Sequence, residues 1–127
     1  MRIILINYNI TLISSLKYFL EAFLDIVIVG AFRETDIALT MLLSLDPQIV
    51  LVDLDMQNSP GADIIRQLRE TSTKLAIVAI ATANTEGFKE TMLRAGANNY
   101  IPKSRLAKDL VPAVRKEISM LSGISMA

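Results

Sequence analysis

Near the middle of the chain the sequence reads Gln48-Ile49-Val50-Leu51-Val52-Asp53-Leu54-Asp55-Met56. The residues before Asp53 are apolar or amide-bearing and mostly β-branched, which predicts a strand buried on both faces of a parallel sheet. Ligands and reactive groups collect outside the carboxyl ends of the strands in an open α/β sheet, so Asp53 is the first candidate for a functional residue. The alternative is that Asp53 only ends the strand or caps the turn that follows it.

The segments on both sides of this strand alternate between strand patterns and helical patterns. Further strands are predicted at residues 2–6, 25–29, 75–80 and 99–102. Helical spacing of apolar residues recurs from Thr11 to Phe23, from a cap at Thr35 or Asp36 to Asp46, around Ile64–Leu68, from Phe88 to a cap at Gly96, and from Leu106 to Leu121. We expect Gly30 to break the second strand and Pro112 to lie near the first turn of the last helix. Strict alternation with short connections requires parallel pairing, which predicts a single α/β domain with helices on both faces of a five-stranded parallel sheet.

Cysteine and histidine are both absent from the 127 residues, which carry 13 basic and 13 acidic side chains. This composition excludes disulfides, thiolate zinc sites, cysteine nucleophiles and histidine general bases. A chain of this length buries roughly two-thirds of the surface that its unfolded form would expose, so we expect one self-sufficient domain. Chemistry is left to carboxylates, hydroxyls, lysine and backbone groups.

The charge pattern and the apolar runs bear on partners and location. The formal net charge is zero and no basic run exists, so nucleic acid is not an expected partner of this chain alone. No apolar run reaches the roughly 20 residues that span a bilayer. The opening apolar segment, Met1 to Ile6, is too short for a signal peptide, so we expect a cytoplasmic protein that makes no membrane contact.

Polar side chains follow four of the predicted strands. Asn7 and Tyr8 come after the first strand, Asp53 ends the third, Thr82 ends the fourth and Lys103 follows the fifth. Parallel strands place their carboxyl ends along one edge, so these residues are expected to share a face of the molecule. A carboxylate there can attack phosphorus and hold the phosphoryl group as an acyl phosphate. The hydroxyl and the ammonium can then bind the new oxygens by charge-assisted hydrogen bonds.

These motifs resemble the receiver domain of two-component response regulators, and most closely the nitrate-regulator (NarL-like) branch. The resemblance covers essentially residues 2–120 and rests on Leu51-Val52-Asp53-Leu54-Asp55-Met56, Gly61, Thr82-Ala83 and Ala95-Gly96-Ala97-Asn98-Asn99-Tyr100-Ile101-Pro102-Lys103. It implies a flavodoxin-like three-layer (βα)5 sandwich with the parallel strand order 2-1-3-4-5. It also implies that Asp53 is the phosphoacceptor, Thr82 the switch hydroxyl, Tyr100 the switch aromatic and Lys103 the phosphate-binding lysine, and that the chain is not an enzyme.

The sequence departs from the family where the first strand ends. Family members carry two acidic residues there, and the resemblance assigns that pair, Asp53 and the backbone carbonyl of Asp55 to a bound Mg²⁺. This chain has Asn7 and Tyr8 instead. At ~4 Å and an effective dielectric of ~20, each lost charge is worth on the order of 4 kcal/mol of attraction per unit of ion charge before desolvation. Since Mg²⁺ prefers carboxylate oxygens, we expect it to bind weakly or not at all, with Asp53 facing Lys103.

Three side chains at this degenerate metal pocket receive separate expectations. Tyr8 is expected to fill the vacated pocket with its ring, in preference to a ligand role. Asp55 is expected to be a loop residue whose side chain points outward. Tyr100 is either a switch whose ring moves inward when Thr82 is recruited or a fixed residue at the edge of the sheet, and the sequence does not choose between the two.

Two positions outside the pocket also carry expectations. Gln57 stands where the family usually has proline, so the loop after Asp53 is expected to lose a rigid element. Arg66, Arg69 and Glu70 follow the wet side of a predicted helix and are assigned to its solvated face.

Three functional hypotheses follow. The first is a pseudo-receiver that has lost Mg²⁺-dependent phosphorylation and signals through protein contacts near Tyr100 and the final helix. The second is a working phosphoacceptor, in which Asp53 takes phosphate from a histidine kinase and controls an effector such as a DNA-binding domain. The third is a flavin- or nucleotide-binding protein on the same fold, which the lack of a glycine-rich loop after the first strand disfavours.

The organisation of the chain leaves two points open. Residues 1–121 are assigned to the receiver domain, and residues 122–127 to a C-terminal tail or the start of a linker. A homodimer through the first or last helix stays an alternative, because the apolar stripes of these helices are equally explained by the core.

Overall fold

The computed structural model describes residues 1–121; the predicted tail or linker at residues 122–127 lies outside the described residues. Strands and helices alternate along the chain as the sequence predicts. In order they are β1 (Arg2–Ile6), α1 (Ile10–Glu21), β2 (Val27–Phe32), α2 (Thr35–Leu45), β3 (Ile49–Asp53), α3 (Gly61–Thr71), β4 (Ala76–Ala81), α4 (Glu86–Ala95), β5 (Asn99–Pro102) and α5 (Leu106–Leu121), with a 3-10 turn (Lys103–Arg105) before α5.

The strands form one parallel sheet in the order β2-β1-β3-β4-β5, which confirms the predicted order 2-1-3-4-5. β3 is central, and all five of its residues are buried. Alternate residues of each strand point to opposite faces and therefore build two cores. One core joins the sheet to α2, α3 and α4, and the other joins it to α1 and α5. The result is a flavodoxin-like three-layer sandwich that brings the carboxyl ends of all five strands to one edge.

Several element boundaries differ from the prediction. β2 begins at Val27 and continues through Gly30 to Phe32, so Gly30 does not break the strand. The register against β1 shifts by one residue there, as in a β-bulge. A Cβ on Gly30 would lie 2.9 Å from side-chain atoms of both Leu45 and Phe32, so glycine serves close packing at this position. Pro112 is the seventh residue of α5, later than the predicted first turn.

The end of α4 carries the predicted glycine cap and an unexpected arginine. Gly96 has a φ of 126° and ends the helix. The guanidinium of Arg69 donates to the carbonyl oxygens of Gly96 at 2.7 Å and Leu75 at 2.6 Å, and to Asn98 Oδ1 at 2.8 Å. The assignment of Arg69 to a solvated face was therefore wrong, because its long side chain reaches past α3 to carbonyl groups that the sheet and α4 leave open.

Spanning a bilayer requires a helix that is both long and apolar. None of the helices within residues 1–121 meets these two requirements.

Candidate functional site

Asp53 is the last residue of the central strand and is only 2% exposed. Its Oδ1 accepts a hydrogen bond from the backbone N–H of Asp55 at 2.9 Å. This contact to a backbone group two residues later is the turn-capping role that the sequence offered as the alternative. Its other oxygen, Oδ2, faces the site, so the same carboxylate caps the turn and takes part in the polar cluster.

The ammonium of Lys103 lies between two carboxylates. Its Nζ is 2.8 Å from Asp53 Oδ2 and 2.9 Å from Asp55 Oδ2. Burial alone would lower the pKa of Lys103, but its hydrogen bonds to Asp53 and Asp55 outweigh that effect and raise it above its ordinary value. The 3-10 turn after β5 therefore delivers a stable positive charge to the carboxyl end of β3.

Asp55 points inward, which contradicts the expectation of an outward loop side chain. Its Oδ2 accepts from the Thr82 hydroxyl at 2.6 Å and from the Thr82 backbone N–H at 3.0 Å, in addition to its contact with Lys103. Burial would raise the pKa of Asp55, but the hydrogen bonds from Lys103 and Thr82 lower it overall. The physical reason for the inward position is that three donors surround the carboxylate.

A sequence signal for this contact existed. Asp55 follows the end of β3 by two residues, so it lies at the same edge of the sheet as the other strand ends. The predicted position of Lys103 and Thr82 at neighbouring strand ends then offers donors to both carboxylates. The prediction treated Asp55 only as a loop residue and missed this spacing.

Tyr100 lies inside the molecule and is 6% exposed. Its hydroxyl donates to the carbonyl oxygen of Ala83 at 2.5 Å, and its ring packs edge-on against Phe88 with centroids 5.3 Å apart. Burial, followed by the negative charges of Asp55 and Asp53, raises the pKa of Tyr100 to about 12. The structure shows the ring of Tyr100 inside the molecule, a position that both a switch and a fixed edge residue can occupy.

Asn7 and Tyr8 occupy the end of β1 in different ways. Asn7 is 3% exposed, its Oδ1 accepts from the backbone N–H of Asn9 at 2.9 Å, and its Nδ2 finds no hydrogen-bond partner within residues 1–121. Tyr8 is 39% exposed, and the guanidinium of Arg33 lies 4.5 Å from the centre of its ring. Tyr8 thus does not fill the pocket as expected, because the cation–π contact holds its ring at the surface.

The side chains around the pocket do not match the ligand preferences of Mg²⁺. An open cavity of about 440 Å³ is lined by Asn7, Tyr8, Arg33, Asp53, Asp55 and Lys103, among others. No group of three or more Asp, Glu, His or Cys side chains in the described part of the chain is placed to hold a metal ion. Both carboxylates already share the Lys103 ammonium, and the free group of Asn7 is an N–H donor. Mg²⁺ requires oxygen ligands in octahedral geometry, so this donor set does not fit the ion.

Gln57 contributes order that the sequence did not predict. Its Oε1 accepts from the Thr35 backbone N–H at 3.1 Å and from the Thr35 hydroxyl at 3.0 Å, while its Nε2 donates to the carbonyl oxygen of Arg33 at 3.0 Å. The loop after β3 is thereby tied to the loop between β2 and α2. Three hydrogen bonds stand in place of the proline ring that the resemblance would put there.

Comparison with known proteins places the chain in a family. Residues 3–115 match the response regulator receiver domain. The nitrate/nitrite response regulator protein NarL of Escherichia coli is 31% identical over 114 residues, which are 90% of this chain and 53% of NarL. An uncharacterized transcriptional regulatory protein of Bacillus subtilis, YvfU, is 26% identical over 105 residues, 83% of this chain and 52% of that protein. The chain therefore spans about half the length of these relatives.

Solved structures share the fold at lower sequence identity. The response regulator domain of Thermotoga maritima CheB superposes with a TM-score of 0.82 at 18% identity. The aligned region covers 94% of this chain and 96% of the CheB domain. A LuxR-family two-component response regulator from Aurantimonas sp. SI85-9A1 reaches a TM-score of 0.85 at 22% identity, covering 96% of this chain and 85% of its own. Since the family match spans most of the sequence and the strand order agrees, the chain belongs to the response regulator receiver domains of two-component signal transduction.

Proposed function

We propose that this chain is a pseudo-receiver, a signalling module that acts through protein contacts without Mg²⁺-dependent phosphorylation of Asp53. The observation that carries the proposal is the end of β1, where Asn7 and Tyr8 stand in place of the acidic pair and Asn7 Nδ2 finds no partner within residues 1–121. Beside them the Lys103 ammonium lies within 2.9 Å of one oxygen of Asp53 and one oxygen of Asp55. The one positive charge that the two carboxylates share is therefore part of the chain itself.

Two features of Asp53 support a loss of phosphoryl transfer. Phosphoryl transfer is accelerated mainly by positioning and by cations that stabilise charge on the transferred group. Here Asn7 brings no negative charge to a metal ion and its Oδ1 accepts from the Asn9 N–H. Both oxygens of Asp53 are engaged, one by the Asp55 N–H and one by Lys103. With Asp53 only 2% exposed, an incoming phosphoryl donor meets a paired and shielded carboxylate.

The proposed contact surface lies near Tyr100 and the start of α5. A cavity of about 280 Å³ there is lined by Lys89, Tyr100, Pro102, Arg105 and Asp109, among others. Charged side chains of both signs next to a buried aromatic ring suit recognition of a protein surface. We propose a histidine kinase or another signalling protein as the partner, and an effector such as a DNA-binding domain as the output of a longer protein that contains this chain.

Incubation with acetyl phosphate and Mg²⁺, followed by intact mass measurement, tests the proposal. We expect no gain of a phosphoryl group by the unaltered chain. The double substitution Asn7→Asp with Tyr8→Asp restores the acidic pair and serves as the positive control, because it supplies the missing ligands for Mg²⁺. A phosphoryl adduct on the unaltered chain that disappears in Asp53→Asn would overturn the proposal.

That adverse outcome would support the second candidate, a working phosphoacceptor. The observation in its favour is the convergence of Asp53, Thr82 and Lys103 at one edge of the sheet, where they are linked through Asp55. In this case a histidine kinase would supply the phosphate, and Lys103 and Thr82 would suffice to hold it.

A further inference from the structure

Three hydrogen-bond donors from the ends of two strands converge on a single oxygen atom. The Thr82 hydroxyl, the Thr82 backbone N–H and the Lys103 ammonium lie 2.6, 3.0 and 2.9 Å from Asp55 Oδ2. A backbone amide, a hydroxyl and an ammonium aimed at one point form a binding site for an oxyanion. The site is filled by a carboxylate of the same chain.

The backbone around Asp55 is shaped to place its carboxylate in this site. The Asp55 N–H is held by Asp53 Oδ1 at 2.9 Å, which fixes the turn that follows β3. The next residue, Met56, adopts a left-handed conformation with a φ of 63°, which is uncommon for a residue other than glycine. Such a conformation persists only when surrounding contacts hold it, and the contacts of Asp55 with Thr82 and Lys103 are available for that role.

The same site is linked to the position of Tyr100. The Tyr100 hydroxyl donates to the carbonyl oxygen of Ala83, the residue directly after Thr82. Because Asp55 binds both the backbone N–H and the hydroxyl of Thr82, it fixes the chain segment that presents the Ala83 carbonyl to the ring. The carboxylate of Asp55 is therefore linked to Tyr100 through two consecutive residues, Thr82 and Ala83.

We propose that Asp55 is an intramolecular ligand of the oxyanion site formed by Thr82 and Lys103, and that this carboxylate, in place of a bound phosphoryl group, keeps Tyr100 inside. The inference rests on the proposed function in one respect: a pocket without a metal ion leaves Lys103 free to pair with Asp55. A free oxyanion can enter the site only by displacing Asp55, and it must do so against the negative charges of Asp53 and Asp55.

The test uses the 127-residue chain labelled with ¹⁵N and with ¹³C in the tyrosine rings, observed by NMR during titration with inorganic phosphate at constant ionic strength. Asp55→Ala removes the internal ligand. Asp63→Asn is the matched control, because it neutralises an exposed carboxylate on α3. We expect saturable shifts of the Thr82 amide in Asp55→Ala, with an affinity for phosphate at least about tenfold higher than in the unaltered chain and the control, a ratio typical of coupling between two ligands of one protein.

Two further readouts report on Thr82 and Tyr100 directly. In Asp55→Ala without phosphate, the Thr82 amide and hydroxyl protons should exchange with water faster. The pKa of the Tyr100 hydroxyl should be lower than in the unaltered chain, since the negative charge of Asp55, which helps to raise that pKa, is gone. Asp55→Asn keeps an oxygen acceptor without the charge, so Thr82 protection should be largely retained while the Tyr100 pKa still falls.

Three outcomes would overturn the inference. The first is that the Thr82 protons exchange with water equally slowly in Asp55→Ala and the unaltered chain. The second is that both proteins bind phosphate with equal affinity. The third is faster exchange of the Thr82 protons in Asp55→Ala together with no phosphate binding by that variant, which would show that these donors do not form an oxyanion site. None of these outcomes depends on acetyl phosphate, so failure of this inference can be told apart from phosphorylation of Asp53, which would reject the proposed function instead.

Discussion

Lys103 determines the charge balance among the residues of the pocket. Asp53 and Asp55 share its ammonium, and the cluster is left with one net negative charge. Asp53 is almost fully buried, whereas the Lys103 side chain is 33% exposed. A buried carboxylate that loses its paired cation becomes costly, because water cannot replace the lost partner. The stability of the domain should therefore depend on Lys103 more than on an ordinary surface lysine.

Lys103→Met should lower the free energy of unfolding by about 2 kcal/mol, less than for a fully buried ion pair because Lys103 is partly exposed. Urea denaturation monitored by circular dichroism measures the change. Adding Asp53→Asn to Lys103→Met should recover most of the loss, since the buried charge is then removed together with its partner. A loss below about 0.5 kcal/mol would instead indicate an ion pair of the kind found on exposed surfaces.

The pKa shifts of Asp55 and Lys103 predict that the domain loses stability at both ends of the pH range, in acid through Asp55 and in base through Lys103. The folded-state pKa of Asp55 is lowered from 3.8. Its contribution to the free energy of unfolding is therefore present above pH 3.8 and is lost as the pH falls through the lowered pKa. The folded-state pKa of Lys103 is raised from 10.5, so its contribution is present below that value and is lost as the pH rises through the raised pKa.

Urea unfolding of the unaltered chain and of Asp55→Asn, measured from neutral pH down to below 3.8, checks the prediction for Asp55. The stability difference between the two proteins should be constant near neutral pH. It should shrink in acid below 3.8, where the Asp55 carboxylate becomes protonated in the unfolded and then the folded state. A difference that does not vary with pH would show that the charge of Asp55 is unimportant.

Contacts between loops complete the elements around the site. The N-terminus of α2 begins after Glu34, whose side chain makes no capping hydrogen bond. Gln57, from the loop after β3, accepts from the first N–H of this helix at Thr35 and also donates to Arg33. A helix terminus needs such partners because its first N–H groups have none within the helix. The loop that carries Asp55 is thus positioned by α2 as well as by β3.

Gln57→Ala should destabilise the domain by about 1–2 kcal/mol, the usual cost of removing a helix cap. Hydrogen exchange at the Thr35 amide should become faster, because that N–H loses its acceptor. Gln67→Ala, on the exposed face of α3, is the matched control and should leave both quantities nearly unchanged. Unchanged exchange at Thr35 in Gln57→Ala would contradict the capping role.

Arg69 and Arg66 provide a matched pair on one helix. Arg69→Ala removes the guanidinium donor of the Gly96 and Leu75 carbonyls and one of the two donors to Asn98 Oδ1, which keeps the Ile77 N–H, and should cost about 2–3 kcal/mol. Arg66 forms an ion pair with the exposed carboxylate of Asp63, so Arg66→Ala should cost at most about 1 kcal/mol. Thermal and urea unfolding of the two variants measure the contrast, and equal losses would refute it.

At the level of the whole molecule, the sheet gathers the strand ends at one edge, where Asn7 and Tyr8 stand in place of an acidic pair, and we propose that Mg²⁺ does not bind there. A ligand that binds the folded state stabilises it in proportion to the logarithm of its concentration over its dissociation constant. The unaltered chain should therefore show no rise in Tm at millimolar Mg²⁺. The variant with Asn7→Asp and Tyr8→Asp should gain several degrees, because a stabilisation of 1 kcal/mol raises Tm by roughly 2–8 °C in domains of this general size. A comparable rise in the unaltered chain would contradict the prediction.

The sequence by itself determined the elements, their parallel pairing and the edge where the site lies, while the strand order followed from the resemblance to receiver domains. Burial on both faces of β3 and the spacing of apolar residues in the helices are local properties, and they are visible in any short window of the chain. Alternation of strands and helices then leaves few topologies, and these place Asp53, Thr82 and Lys103 at one edge. Local patterns thus sufficed wherever the backbone alone sets the position of a residue.

Only the tertiary structure decided where the long and polar side chains point. Asp55 turns inward because donors from β4 and the segment after β5 meet it, and Tyr8 stays at the surface because Arg33 covers its ring. Gln57 and Arg69 likewise find partners more than twenty residues away in the chain. Each of these orientations is a balance of hydrogen bonds, charge and burial among residues that meet only after folding, and no sequence window contains all the partners.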